Sequence, residues 1–269
     1  MTELHTDLVV HRFGRPLGEG APTLFLLHGL TGSGLAWPEA VQHWGDRFSI
    51  VSVDQRGHGG SPRFTPEQLA AHPGDVMVDD AVALLEQRDR PVVLGHSLGG
   101  AVALAAGVRR PELVQTLVLE DPAPLGPGEP QRSVQRGAEF LDGLEPSRTA
   151  PDDEELLRRR REAHPEWPEP ELLASGHAER QVDTTYLEHG DLRPSPVWPE
   201  LFGSVAVPTL VVTGDRADEV IVGEELEQGI TALGNPRVRV ARLPGAGHCI
   251  RRENPAGFYA TVDEWLDAH

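Results

Sequence analysis

The sequence predicts an α/β protein: a mostly parallel, twisted sheet with helices on both faces and a helical insertion past its middle. Three observations carry this. Short apolar runs rich in Val, Leu and Ile recur along the chain, each ending in Gly, His, Asp or Leu, as expected of strands buried on both faces. Helix-length segments with apolar residues three and four apart lie between most of these runs, which implies right-handed strand-helix-strand units. One stretch, 122–199, has no comparable run and is crowded with prolines, arginines and acids.

The runs are Thr23 to His28, Ser49 to Asp54, Pro91 to His96, Thr116 to Asp121, Thr209 to Gly214 and Arg237 to Leu243. Helices are expected over Ala36 to Trp44, Val76 to Arg88, Leu98 to Arg109, Gly223 to Leu233 and Asn254 to Ala268. Leu4 to Phe13 is expected to add an antiparallel edge strand. The core then comprises 1–121 and 200–269, with 122–199 inserted as a mostly helical cap, where Leu156, Leu157, Leu172 and Leu173 supply helical apolar pairs. A long disordered loop is the other reading of that stretch.

Composition narrows the function classes. The chain has 269 residues, 39% of them hydrophobic and 25% charged, as in ordinary globular proteins, and no apolar run nears the roughly 18 residues that cross a bilayer. Its formal charge of -18 argues against nucleic acid or an anionic membrane surface as partner, since both need basic patches. The single cysteine, Cys249, forms no disulfide within the chain, and the first residues, MTELHTDLVVHRFG, lack the basic-then-apolar order of a secretory signal. A cytoplasmic location is therefore expected, with a small-molecule substrate as partner; a homodimer stays open.

The strongest local signal is Gly95-His96-Ser97-Leu98-Gly99-Gly100, set between an expected strand and an expected helix. A sharp strand-to-helix turn strains its central residue and needs glycine two positions either side, where a side chain would collide with the chain. It lifts the Ser97 hydroxyl to the carboxyl edge of the sheet, beside a helix N-terminus that favours developing negative charge. Near the end, Leu243-Pro244-Gly245-Ala246-Gly247-His248 follows the last expected strand, and a glycine-flexed loop there can bring an imidazole over Ser97. His248 is thus the favoured base among 12 histidines. Cys249 reads as a small packed residue, because no comparable turn presents it.

Two more motifs complete a pattern that resembles the α/β-hydrolase superfamily, in its serine-nucleophile branch with a helical cap. His28-Gly29-Leu30-Thr31-Gly32-Ser33 resembles that family's oxyanion loop, which implies that the backbone N–H groups of Leu30 and Leu98 bind a tetrahedral oxyanion. Asp54-Gln55-Arg56-Gly57-His58-Gly59-Gly60-Ser61 resembles its D-x-R-G-x-G-x-S loop, read here as structural. His28 and His58 have no accompanying ligand set for a metal, and no cofactor is implied. The resemblance also implies a triad acid between serine and histidine in the chain. The commonest spacing puts it at what is here Ala217, so the choice falls on Asp215, with Asp218 as the alternate and Asp121 third.

The implied activity is a serine hydrolase that cleaves an ester, thioester or lactone of a small, largely apolar substrate through an acyl-enzyme. A carbon–carbon bond hydrolase or cofactor-free lyase on the same scaffold is the alternative, and a non-catalytic ligand receptor the third reading. Serine at the turn disfavours the haloalkane dehalogenase and epoxide hydrolase branches, which attack through an aspartate. Substrate choice is expected to lie in the cap, and Trp37, Phe140, Trp167, Tyr186 and Trp198 are candidates for the pocket wall or for packing. Asp183, Glu188 and His189 read as cap-surface residues, and Arg158 to Arg161 as a solvated helix face.

Overall fold

Side chains of a strand alternate between faces, and here the alternation sorts the apolar residues into two layers. In the computed structural model, residues 7–123, 142–185, 194 and 197–269 are described. Their strands are β1 (Val10–Gly14), β2 (Thr23–Leu27), β3 (Ser49–Val53), β4 (Val92–His96), β5 (Thr116–Glu120), β6 (Thr209–Gly214) and β7 (Val238–Leu243). They form one sheet in the order β1-β3-β2-β4-β5-β6-β7. Every pairing is parallel except that of β1, which runs antiparallel to β3 with Val10 opposite Val53. The expected edge strand is therefore present as Val10–Gly14, while residues 1–6 of its expected start lie outside the described residues.

The helices are α1 (Pro38–Trp44), α2 (Pro66–Ala70), α3 (Pro73–Leu85), α4 (Leu98–Arg109), α5 (Asp153–Ala163), α6 (Glu169–Arg180), α7 (Trp198–Ser204), α8 (Glu224–Ala232), α9 (Ile250–Glu253) and α10 (Pro255–Ala268), with a further helical stretch at 142–148. Phe25 and Leu27 of β2 join Val51, Val53, Val93, Leu117 and Val211 on one face, against residues of α3, α4 and α7. Leu24 and Leu26 join Ile50, Leu94, Val118 and Val212 on the other, against Trp44 of α1 and Phe258, Val262 and Trp265 of α10. Helix α3 starts at Pro73, earlier than the expected Val76, because a proline at the first helical position lacks only a donor that would have no partner there.

Sheet order fixes where chemistry can sit. β2 is followed by β3 on one side and has β4 on the other, so the strand order reverses between β2 and β4, and a crevice opens at their carboxyl ends. Helix α4 starts there, close against the end of β2. A Cβ on Gly99 would collide with the Leu27 and His28 carbonyls, and one on Gly95 with the Gly99 carbonyl, so both positions admit only glycine. Pro122 closes the other side, 2.9 Å from where a Gly100 Cβ would stand.

Between β5 and β6, α5 and α6 pack together closely, with Gly176 against Leu156. This segment docks on the sheet through the Asp183 N–H, which donates to Gly57 O at 2.8 Å, and through Arg63, which donates to Gln181 O at 2.9 Å. No described helix is long and apolar enough to cross a membrane.

Replacing Gly99 by alanine forces backbone apart from backbone, with no flexible side chain to yield. Gly99→Ala is expected to lower stability by about 1–3 kcal/mol, read as a lower midpoint in urea unfolding, whereas Gly203→Ala, where the added methyl meets open space, should stay within about 0.5 kcal/mol.

Candidate active site

Ser97 stands at the junction of β4 and α4 with φ 53° and ψ -117°, a backbone region that non-glycine residues rarely adopt and that costs about 1–3 kcal/mol. Three hydrogen bonds hold it there. Its N–H donates to Glu120 O at 2.9 Å, and its carbonyl accepts from Ala101 N–H at 3.1 Å and Ala123 N–H at 3.0 Å. Leu98, the first residue of α4, has an N–H with no acceptor inside the helix, as any first-turn donor does.

The loop after β2 passes directly over this turn, for a Cβ on Gly29 would stand 3.2 Å from Ser97 Cβ and 2.8 Å from His96 Nδ1. The Gly29 carbonyl is turned inward, accepting from Gly32 N–H at 2.9 Å and from His28 Nδ1 at 2.7 Å. His28 Nε2 accepts from Gln55 N–H at 3.0 Å, which leaves the ring proton on Nδ1. Burial, and then His58 beside it, hold the His28 pKa well below the ordinary imidazole range, in keeping with a neutral ring. Because a trans peptide directs its C=O and N–H to opposite sides, fixing the Gly29 carbonyl also fixes the Leu30 N–H, pointing away from the loop interior. His58 Nε2 lies 2.6 Å from Leu30 O and so holds the next peptide.

His248 lies in the loop after β7, with its side chain about one-third exposed. Its Nδ1 donates to Asp121 Oδ2 at 2.6 Å, and Asp121 has no exposed surface. An acceptor-only carboxylate keeps the proton on Nδ1 and leaves the Nε2 lone pair bare. Asp121 Oδ2 also accepts from Ile221 N–H at 2.8 Å, and Oδ1 accepts from Val222 N–H at 2.9 Å and Thr213 Oγ1 at 3.2 Å. His96 Nε2 donates to His248 O at 3.1 Å, and the two rings lie 4.7 Å apart. His248 is thereby tied to the residue that precedes Ser97.

The carboxylate that meets the imidazole is thus neither Asp215 nor Asp218, which the sequence favoured. Asp215 Oδ1 accepts the Gly245 N–H at 2.8 Å and so holds the backbone of the histidine loop, and Asp218 is exposed. Their loop supplies instead the Ile221 and Val222 amides that bind Asp121. The signal for Asp121 was a buried-strand run closing in two consecutive acids, Glu120 and Asp121, one strand away from Ser97.

Other expectations divide in the same way. Asp54 accepts from Gly34 N–H at 2.7 Å and Gly60 N–H at 2.9 Å, while Arg56 donates twice to Asp80 at 2.8 and 3.0 Å, the structural duty read for that loop. Burial raises the Cys249 thiol to about 11, which suits a packed thiol. Arg158 and Arg161 form exposed pairs, but Arg160 turns inward to Glu179 at 2.9 Å and Ser175 at 3.0 Å, so the arginine run is not uniformly solvated. Trp37 and Trp167 are buried against Arg251 and Arg252, and Trp198 packs on the core. Phe140, Tyr186, Glu188 and His189 lie outside the described residues.

Comparison with known proteins agrees with this fold. The model of the alpha/beta hydrolase family matches residues 24–261. Lipase LipV of Mycobacterium tuberculosis is 38% identical over 130 residues, a match that spans 48% of this chain and about half, 46%, of that protein. The 2-(acetamidomethylene)succinate hydrolase of Mesorhizobium japonicum is 25% identical over 94% of this chain and 91% of its own. Among solved structures, the enol-lactonase from Burkholderia xenovorans LB400 superposes with a TM-score of 0.74 at 20% identity over 97% of both chains, a likeness of fold. With nearly nine-tenths of its length inside the family's pattern, the chain belongs to the alpha/beta hydrolase family and is a hydrolase.

Proposed function

We propose that Ser97, His248 and Asp121 act as nucleophile, base and acid in a two-step acyl transfer that hydrolyses an ester, thioester or lactone of a small, largely apolar substrate. The observation that carries this is the fully buried Asp121 carboxylate 2.6 Å from His248 Nδ1, beside a serine in a strained strand-to-helix turn. In this reading His248 Nε2 takes the proton of Ser97 as Oγ attacks the carbonyl carbon. The oxyanion is bound by the Leu30 and Leu98 N–H groups, and the imidazolium then protonates the leaving group. Water, deprotonated by the same imidazole, attacks the acyl-enzyme and restores Ser97. The similar proteins are a lipase, a 2-(acetamidomethylene)succinate hydrolase and an enol-lactonase, which supports the class and leaves the bond cleaved to experiment. The segment 122–199 serves as the cap that selects the substrate, in a cytoplasmic enzyme that needs no cofactor.

A fluorophosphonate is expected to add to intact protein and to map to Ser97 by peptide mass, and Ser97→Ala should lose both labelling and turnover of p-nitrophenyl esters of short acids. Turnover of vinylogous diketones with no ester cleavage would assign the carbon–carbon bond reaction instead. For the acid, Asp121→Asn should lower kcat on such an ester by about 10³- to 10⁴-fold, because an amide turned toward Nδ1 holds the wrong tautomer. Asp215→Asn and Asp218→Asn should stay within about 10-fold. A larger loss at Asp215 than at Asp121 would refute the assignment.

A further inference from the structure

Arg251 and Arg252 follow His248 by three and four residues, and both are buried. A guanidinium at that depth needs carboxylates against it. Glu120 grips Arg251 twice, accepting its backbone N–H at 2.9 Å and its Nη1 at 2.6 Å. Since Glu120 directly precedes Asp121, this pair joins the strand end that carries the acid to the segment that carries the imidazole.

The second carboxylate comes from outside the sheet. Glu171 of α6 has no exposed surface; its Oε2 accepts from Arg252 Nε at 2.7 Å and lies 3.8 Å from Arg251 Nη2, and its Oε1 accepts the Glu39 N–H at 3.3 Å. Arg251 lies over the Trp37 ring at 4.2 Å and Arg252 over the Trp167 ring at 4.5 Å, so aromatic planes confine both cations. Two carboxylates thus balance two guanidinium groups in a closed interior, and one of them belongs to the inserted segment.

We propose that Glu171 is a positioning residue for His248: through Arg251 and Arg252 it holds the segment 248–252 so that the imidazole stands against Asp121. This rests on the triad reading above. Without the charge at 171, Arg251 keeps Glu120 but Arg252 loses its hydrogen-bonded carboxylate, with only the charges of Glu39 and Glu179 left nearby, and the segment relaxes to bring Arg252 toward water.

The test uses the full chain and three measurements: kcat and KM on a small ester, the rate of fluorophosphonate addition, and thermal melting. Glu171→Gln keeps volume and removes charge. It is expected to lower kcat and the labelling rate together by about 10- to 100-fold with KM within about twofold, as displacement of a base does, and Glu171→Asp should recover at least about threefold of the loss. The double variant Glu171→Leu with Arg252→Leu strands no charge on α6 and is expected to fold, with kcat still depressed. A folded Glu171→Gln protein with kcat and labelling rate within about twofold of the parent overturns the proposal. So does loss of the fold in both Glu171→Gln and the double variant, which would make the network a requirement of folding alone. Ser97→Ala in the parent separates this from failure of the triad reading, which retained ester turnover in that variant would reveal.

Discussion

One buried carboxylate organises the carboxyl edge of the sheet. A carboxylate with no exposed surface needs hydrogen-bond donors, and Asp121 receives them from three separate places: Thr213 at the end of β6, the Ile221 and Val222 amides in the loop beyond it, and His248 after β7. Thr213 is held by strand pairing, but the Ile221, Val222 and His248 donors come from loops, so the carboxylate specifies loop geometry that no strand pairing imposes. Asp121 itself has φ 35°, an uncommon backbone state that its side-chain contacts hold in place.

The same edge shows how a glycine-rich loop can be rigid. Glycines at 245 and 247 suggest freedom, yet the backbone is held along its length before His248 is reached. Asp215 accepts the Gly245 N–H, Arg216 donates through Nε to the Gly245 carbonyl at 2.9 Å and through its own N–H to the Ala246 carbonyl at 3.0 Å, and Glu253 accepts the Gly247 N–H. His96 then takes the His248 carbonyl. Glycine here permits close approach, since a Cβ on Gly247 would strike Glu219, rather than motion.

How far a single sequence discloses such a site depends on the range of the interactions involved. Five of the six runs were legible because burial on both faces leaves a local, continuous apolar signature, whereas the sixth, at the edge strand β7, is only partly buried; the turn at Ser97 was legible because glycine at 95 and 99 answers a clash within a few residues. His248 could be chosen among 12 histidines from its glycine-flanked place after the last strand. The carboxylate that meets the imidazole could not be ranked first, because Asp121, Asp215 and Asp218 all follow strand ends and which of them His248 reaches depends on tertiary packing. Glu120, Glu171, Arg251 and Arg252 gave no local sign at all, since their meaning is a charge balance among residues up to 131 positions apart. Arg160 was misread within the Arg158 to Arg161 run for the same reason: its partner Glu179 lies on the next helix.

The reach of each carboxylate toward the imidazole follows from the sheet itself. Adjacent strands lie about 4.8 Å apart, so the ends of β5 and β6 differ by one strand spacing as platforms from which to reach an imidazole. β5 is the direct neighbour of β4, whose end carries Ser97, while β6 is one strand further away. A carboxylate at the end of β5 therefore stands deeper and nearer Ser97, where solvent is absent and each hydrogen bond is stronger. The same depth demands more donors, and the loop after β6 supplies two of them as backbone amides.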